Sequence, residues 1–192
     1  MIEGKIITDK EVTKEKSSRD DSRRDKADAF VQTVIKKCRE DKGYAARLRR
    51  ADNPATEYQS WEILASFGID LERPYERLPY SVVGAGIAKA KLEENGRYPL
   101  GAALASCYPE GRESPPAAAR MRRLLACQDT VELCRVIRPV LSLIANRGTL
   151  HMDYAELLRD LIYFNWKKKD IKAKWAMKFY SYTPSVGGQN GQ

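Results

Sequence analysis

Apolar side chains recur at three- and four-residue intervals along most of this chain, a spacing that predicts helices. Ala27, Phe30, Val31, Val34, Ile35 and Cys38 place a first amphipathic helix over residues 24–41. A shorter one over 44–50 turns Leu48 inward and carries Arg47, Arg49 and Arg50 around it. Asn53 and Pro54 read as the N-cap and first position of a third, with Tyr58, Trp61, Ile63, Leu64 and Phe67 as its apolar side and Gly68 as its end. Residues 69–77 read as a loop around Pro74; Pro79 opens a fourth helix that runs to about residue 94, stopped by Gly96. Residues 100–107 form a short, Ala-rich helix. Ser114 and Pro115 begin the next, with Met121, Leu124 and Leu125 inward. Asp129 and Glu132 have capping-box spacing for another helix, in which Pro139 is expected to force a kink or break near Arg138. Asp153 and Glu156 repeat that spacing before Tyr154, Leu157, Leu158, Leu161 and Ile162. No alternating strand pattern persists. The expected fold is all-α, with about eight or nine helices in two packed bundle lobes. Residues 24–107 form one lobe, 115–181 the other, and 108–114 the loop between them. Residues 1–23 mix charges with Ser and Thr and read as a disordered segment, and 182–192 as a flexible tail.

With 192 residues the chain can bury a substantial core. No apolar run approaches the ~18–20 residues needed to span a bilayer, and the charged N-terminus is no secretory signal. The reading is a soluble, cytoplasmic protein with no membrane partner. Four cysteines (Cys38, Cys107, Cys127, Cys134) form no CxxC pair and read as small core hydrophobes. His151 is the single histidine, which argues against a His-rich metal site. No cofactor or metal is expected.

Charge sharpens the picture. The net +8 is carried by three basic blocks, residues 27–51 (+4), 114–138 (+3) and 166–192 (+5), with an acidic stretch over 52–113 (−4) between the first two. If folding joins the basic blocks they make a stripe, and the acidic middle is left to face protein neighbours. In the last block Ile171, Trp175 and Phe179 share one helical face, while Lys167, Lys174 and Lys178 fall close to one line on another. An aromatic face anchored in a core, with lysines in water, suits a phosphate backbone, where ammonium groups release counterions without reading bases. Arg120 with Arg123 and Arg135 with Arg138 add i, i+3 pairs on two other helices. Each cluster alone reads as a solvated helix face; three on separate helices bring nucleic-acid binding level with that reading.

Two other constellations compete. Val82-Val83-Gly84-Ala85-Gly86 resembles the start of a dinucleotide-binding turn, but Lys89 stands where a third small residue is needed. It reads instead as a helix whose small residues let a neighbour approach. Asp153, Glu156 and Asp160 lie at i, i+3 and i+7, so one helix could present three carboxylates to Mg²⁺, as in a metal-dependent nuclease. They read instead as a cap, a first-turn acid and a surface acid, because the sequence indicates no partner acid or base elsewhere. A helical regulator reading duplex DNA is a further alternative.

Several phrases, taken in order, carry a resemblance. Ala46-Arg47-Leu48-Arg49-Arg50-Ala51 precedes a Trp-bearing helix. Leu100-Gly101-Ala102-Ala103-Leu104-Ala105 precedes the loop. Met121-Arg122-Arg123-Leu124-Leu125-Ala126 leads to Leu133-Cys134-Arg135-Val136-Ile137-Arg138-Pro139. Asp153-Tyr154-Ala155-Glu156-Leu157-Leu158 leads to Trp166 and the basic segment ending at Tyr180. Over residues 27–181 the chain resembles the CasB family, the small subunit of the type I-E CRISPR surveillance complex Cascade. The resemblance implies a non-enzymatic, all-helical subunit, present as two copies beside the crRNA-bearing backbone subunits and the large subunit. It implies binding to crRNA and target DNA, with the displaced strand of the R-loop held on a basic surface in antiviral defence. Carried over by position, the residues implied are Arg49, Arg50, Lys89, Lys91, Arg120, Arg123, Arg135, Arg138, Lys167, Lys168, Lys169 and Lys174. Cys134 stands where a second basic residue often accompanies Arg135.

Overall fold

The structure, a computed structural model, describes the backbone of residues 9–184 and the side chains of residues 25–184. Its α-helices are α1 (Asp9–Glu40), α2 (Lys42–Arg50), α3 (Trp61–Ser66), α4 (Pro74–Ala90), α5 (Leu100–Ala105), α6 (Pro115–Ala126), α7 (Thr130–Arg147) and α8 (Tyr154–Tyr180). Single 3-10 turns lie at Glu57–Ser60 and Gly111–Glu113. The described residues contain no strand beyond one isolated bridge, Tyr98 to Met152.

The core is built around α4. Every residue from Leu78 to Ala88 is buried, so this helix has no solvent face along most of its length. α1, α2, α7 and α8 pack on it. Small residues make that crowding possible. A Cβ at Gly84 would lie 3.1 Å from Leu48, and one at Gly86 would lie 3.0 Å from Tyr154 and 3.3 Å from Leu141. The glycines of the dinucleotide-like phrase therefore serve helix packing. The halves on either side of the 108–114 loop share one hydrophobic core, running from Ala27 on α1 to Phe179 on α8.

Four expectations about the elements change. The helix expected from residue 24 begins at Asp9, so residues 9–23 have helical backbone; residues 1–8 and 185–192 lie outside the described residues. Asn53 caps only a local turn, accepting from Ala55 N at 3.0 Å, and the third helix starts at Trp61. α4 begins at Pro74 and absorbs Pro79 in its second turn, where the missing N–H costs one bond and removes none of the packing. It ends at Lys91, whose left-handed φ of 50° does the work expected of Gly96. α7 runs through Pro139 from Thr130 to Arg147 as one helix, clamped along its length by α4 and α8.

α8 is two arms. At Lys167 the backbone leaves helical geometry (φ −114°, ψ 27°). In a straight helix Asp160 and Lys174 would stand about 21 Å apart at 1.5 Å per residue. Here Asp160 Oδ1 accepts from Lys174 Nζ at 2.6 Å, so the second arm folds back along the first. Ile171, Trp175 and Phe179 are buried as their spacing predicts.

Candidate nucleic-acid interface

Strong capping signals place the basic helices. Pro115 opens α6, where a missing N–H costs nothing. Asp129 caps α7 by accepting from Glu132 N at 2.8 Å, and Glu132 returns a carboxylate to Gln128 N at 2.7 Å. Thr130 N, beside that cap, donates to Asn165 Oδ1 on α8 at 2.9 Å. The junction of α6 and α7 thus sits against the bend of α8. Around it the second and third basic blocks meet: the thiol of Cys127, raised by burial, feels both Arg123 of α6 and Lys172 of α8. Lys167 bends over the Tyr163 ring, 4.8 Å from its centroid, at the rim of a cleft of about 490 Å³ between the two arms of α8.

On α6, α7 and α8, Arg120, Arg123, Arg135, Lys167 and Lys169 are exposed and Lys168 is half-buried. Arg120 lies over the Tyr108 ring at 5.9 Å. Arg123, Arg135, Lys168 and Lys169 form no salt bridge among the described residues. At the α2–α4 junction Arg49 reaches the Ala88 carbonyl at 3.4 Å and Arg50 donates to Gln59 Oε1 at 2.6 Å, and both remain exposed beside Lys91.

Three residues of the expected set are spent inside the fold. Arg138 is 8% exposed; it bonds Glu57 Oε2 at 3.3 Å and the Ala51 carbonyl, tying α7 to the connector before α3. Glu57 also accepts from Arg77 at 2.8 Å, so one buried carboxylate is shared by two guanidinium groups. Lys174 lies between Glu156 (3.0 Å) and Asp160 (2.6 Å), which removes it from the lysine line expected with Lys167 and Lys178. Lys89 is paired with Asp52 and bonds Ser142 Oγ at 3.0 Å. Each turns inward because an acid distant in sequence meets it there.

The three carboxylates of the nuclease alternative are committed too. Asp153 caps α8, accepting from Ala155 N, Glu156 N and Asn95 Nδ2 at 3.0, 2.9 and 2.7 Å. Glu156 holds Lys174. Buried Asp160 accepts from Lys174 and, at 2.6 Å, from Trp175 Nε1. Burial pushes its carboxyl above the usual range, against the pull of those two donors. Lys174 also moves up: burial opposes its charge, but the two carboxylates outweigh it. His151 is exposed and contributes its backbone carbonyl, to Arg97 N and Tyr98 N. Burial holds the Cys38 and Cys107 thiols protonated, pushed up to about 11. Of the tryptophans in the basic segment, Trp175 is core, whereas Trp166 is 63% exposed.

A family model described as CRISPR-associated protein Cse2 matches residues 44–180. The structure is similar to the crystal structure of M. ruber CasB, with a TM-score of 0.62 at 27% identity, covering 79% of this chain and 92% of that one. A search of curated proteins found no match.

Proposed function

The chain belongs to the Cse2/CasB family of CRISPR-associated proteins, and on that footing, as a Cascade small subunit, we propose that it holds single-stranded DNA on a basic surface during R-loop formation. The observation that carries this is the meeting of α6, α7 and the bend of α8. On these three helices Arg123, Arg135, Lys168 and Lys169 are cations that form no salt bridge with a described acid. Such a surface binds through phosphates, so affinity falls with salt and sequence matters little. Arg49, Arg50 and Lys91 form a second exposed basic cluster at the α2–α4 junction, and Arg120 and Lys167 add to the charge of α6 and α8. Arg138, Lys174 and Lys89 support the elements that present it. Because strand exchange in RNA-guided recognition is nearly balanced, holding the displaced strand tips it toward the open R-loop. The commitment of Asp153, Glu156 and Asp160 to a cap and an internal ion pair favours binding over cleavage.

The test is anisotropy of labelled single-stranded DNA from about 50 to 300 mM salt, with Arg123→Glu, Lys168→Glu and Lys169→Glu combined. Three lost phosphate contacts should flatten the log–log salt slope by about 2, and the variant should shorten R-loop lifetime in the assembled complex. An unchanged slope and lifetime would remove this surface from the mechanism. Cleavage in Mg²⁺ would return the carboxylates to consideration.

A further inference from the structure

α8 carries two tryptophans, and the fold treats them oppositely. Trp175 is core, with its indole N–H bonded to Asp160. Trp166, the last residue of the first arm before the break at Lys167, keeps 63% of its surface in water. Residues four apart share a helical face. Ile162 and Trp166 accordingly wall one pocket, of about 100 Å³, together with Ile69 and Tyr75. Tyr163 and Lys167, one position on, line the neighbouring cleft between the arms of α8. The charged residues of the Trp166 pocket are Lys26 and Glu76. Lys26 donates to the Gly68 carbonyl at 3.2 Å and forms no salt bridge among the described residues, whereas Glu76 is met by Arg73 at 3.3 Å. The pocket rim therefore carries no excess of negative charge. Lys168 and Lys169 follow the ring at two and three residues, so their Cα atoms lie within about 8 and 12 Å of that of Trp166. Asp170 is the one acid in that run.

We infer that the exposed indole of Trp166 is a stacking platform for one base of the single strand whose phosphates Lys168 and Lys169 hold, an inference that rests on the DNA-binding reading above and deepens it. Lysines fix a backbone without holding its bases. An aromatic face beside them does the second job, because every base has a π-face and stacking tolerates any sequence. The lysines select the occupant: a phosphate-bearing strand held at Lys168 and Lys169 brings its bases within reach of the ring. Only an unpaired strand qualifies, since the bases of a duplex are already stacked on one another. The pocket behind the ring is well below the ~300 Å³ of sites that enclose a small molecule. The base therefore lies on the indole and is not swallowed.

The full-length chain is titrated with labelled single-stranded DNA and with an abasic phosphodiester strand of equal length, over a range of salt, as wild type, Trp166→Ala and Trp166→Phe. Trp166→Ala should bind the DNA about fivefold or more weakly. Its log–log salt slope should match the wild type, because stacking releases no counterions. It should bind the abasic strand as the wild type does. Trp166→Phe keeps a ring over the pocket and should recover most of the lost affinity. A residue that merely lids the pocket would weaken both strands alike when replaced. Equal loss on both strands, or wild-type affinity in Trp166→Ala, overturns this inference and leaves the phosphate-binding reading standing. Wild-type DNA affinity in Trp166→Ala, with failure to join the assembled complex, gives the ring to a protein neighbour and also overturns it. Failure of the wild-type chain to bind single-stranded DNA overturns the DNA-binding reading and this inference with it.

Discussion

Replacing Asp160 tests the turn-back of α8. In Asp160→Ala, the indole N–H of Trp175, a residue 1% exposed, loses its acceptor, and Lys174 keeps only Glu156. Stranding a buried donor costs about 1–3 kcal/mol. Breaking a fully buried ion pair costs about 3–5 kcal/mol. That second figure must be discounted, because the Lys174 side chain is 31% exposed and retains a partner. The total expected is about 3 kcal/mol, which for a chain of this length lowers Tm by about 6–12 °C. Asp160→Asn preserves an oxygen for Trp175 and should lose about half as much. The assay is equilibrium urea denaturation followed by far-UV circular dichroism, with a double-mutant cycle through Lys174→Met. A coupling energy near zero, or a loss under 1 kcal/mol in Asp160→Ala, would show that the two arms are held by apolar packing alone and that the carboxylate is dispensable.

Gly101→Ala would bring a Cβ to 2.3 Å from the Trp175 carbonyl and 2.7 Å from Phe179 N, so α5 and α8 must separate. Overpacking against backbone should cost about 2–3 kcal/mol by urea titration. Arg138→Ala should cost about 2–4 kcal/mol by the same titration, since it leaves Glu57 buried with one partner. Arg135→Ala, one turn away and exposed, should leave stability within about 0.5 kcal/mol and weaken DNA binding. Lys174 has a folded pKa above the usual 10.5, so the folded state holds its proton more tightly. The stability this contributes is complete below 10.5 and is lost as pH rises through the folded value; Lys174→Met should flatten that alkaline limb in pH-dependent thermal melts.

What the sequence made legible followed local rules. Pro115, Asp129 and Asp153 mark the starts of α6, α7 and α8 because caps act within four residues. Trp175 and Phe179 declared themselves core by period. The bend at Lys167 left no such mark, since the apolar rhythm continues on both sides of it and only contacts 14 and 15 residues apart reveal the reversal. The burial of Arg138 left no mark for a related reason. An arginine paired at i, i+3 with Arg135 looks solvated until Glu57, 81 residues earlier, arrives beside it. Pro79 misled because a proline opening a helix and one absorbed in its second turn leave the same local signature, and Pro74 five residues before was the true start. The meeting of Arg123 and Lys172 around Cys127 depended on that same bend, so the basic blocks could be counted from sequence but not joined.

The back-folded α8 also fixes when the molecule can exist. Its first arm ties to α1 through Arg159 and Asp28, 131 residues apart, and its second arm seats Trp175 and Phe179 in the same core as Phe30. A growing polypeptide cannot cover the side of α5 at Gly101, which packs on the second arm of α8, until the ribosome has passed Phe179. Until then part of the shared apolar core waits open, with its closing piece still unmade. Slow, late closure of this kind exposes nascent chains to aggregation. A stop anywhere within α8 would therefore remove more than a basic edge: it would leave the earlier helices without the piece that completes their core.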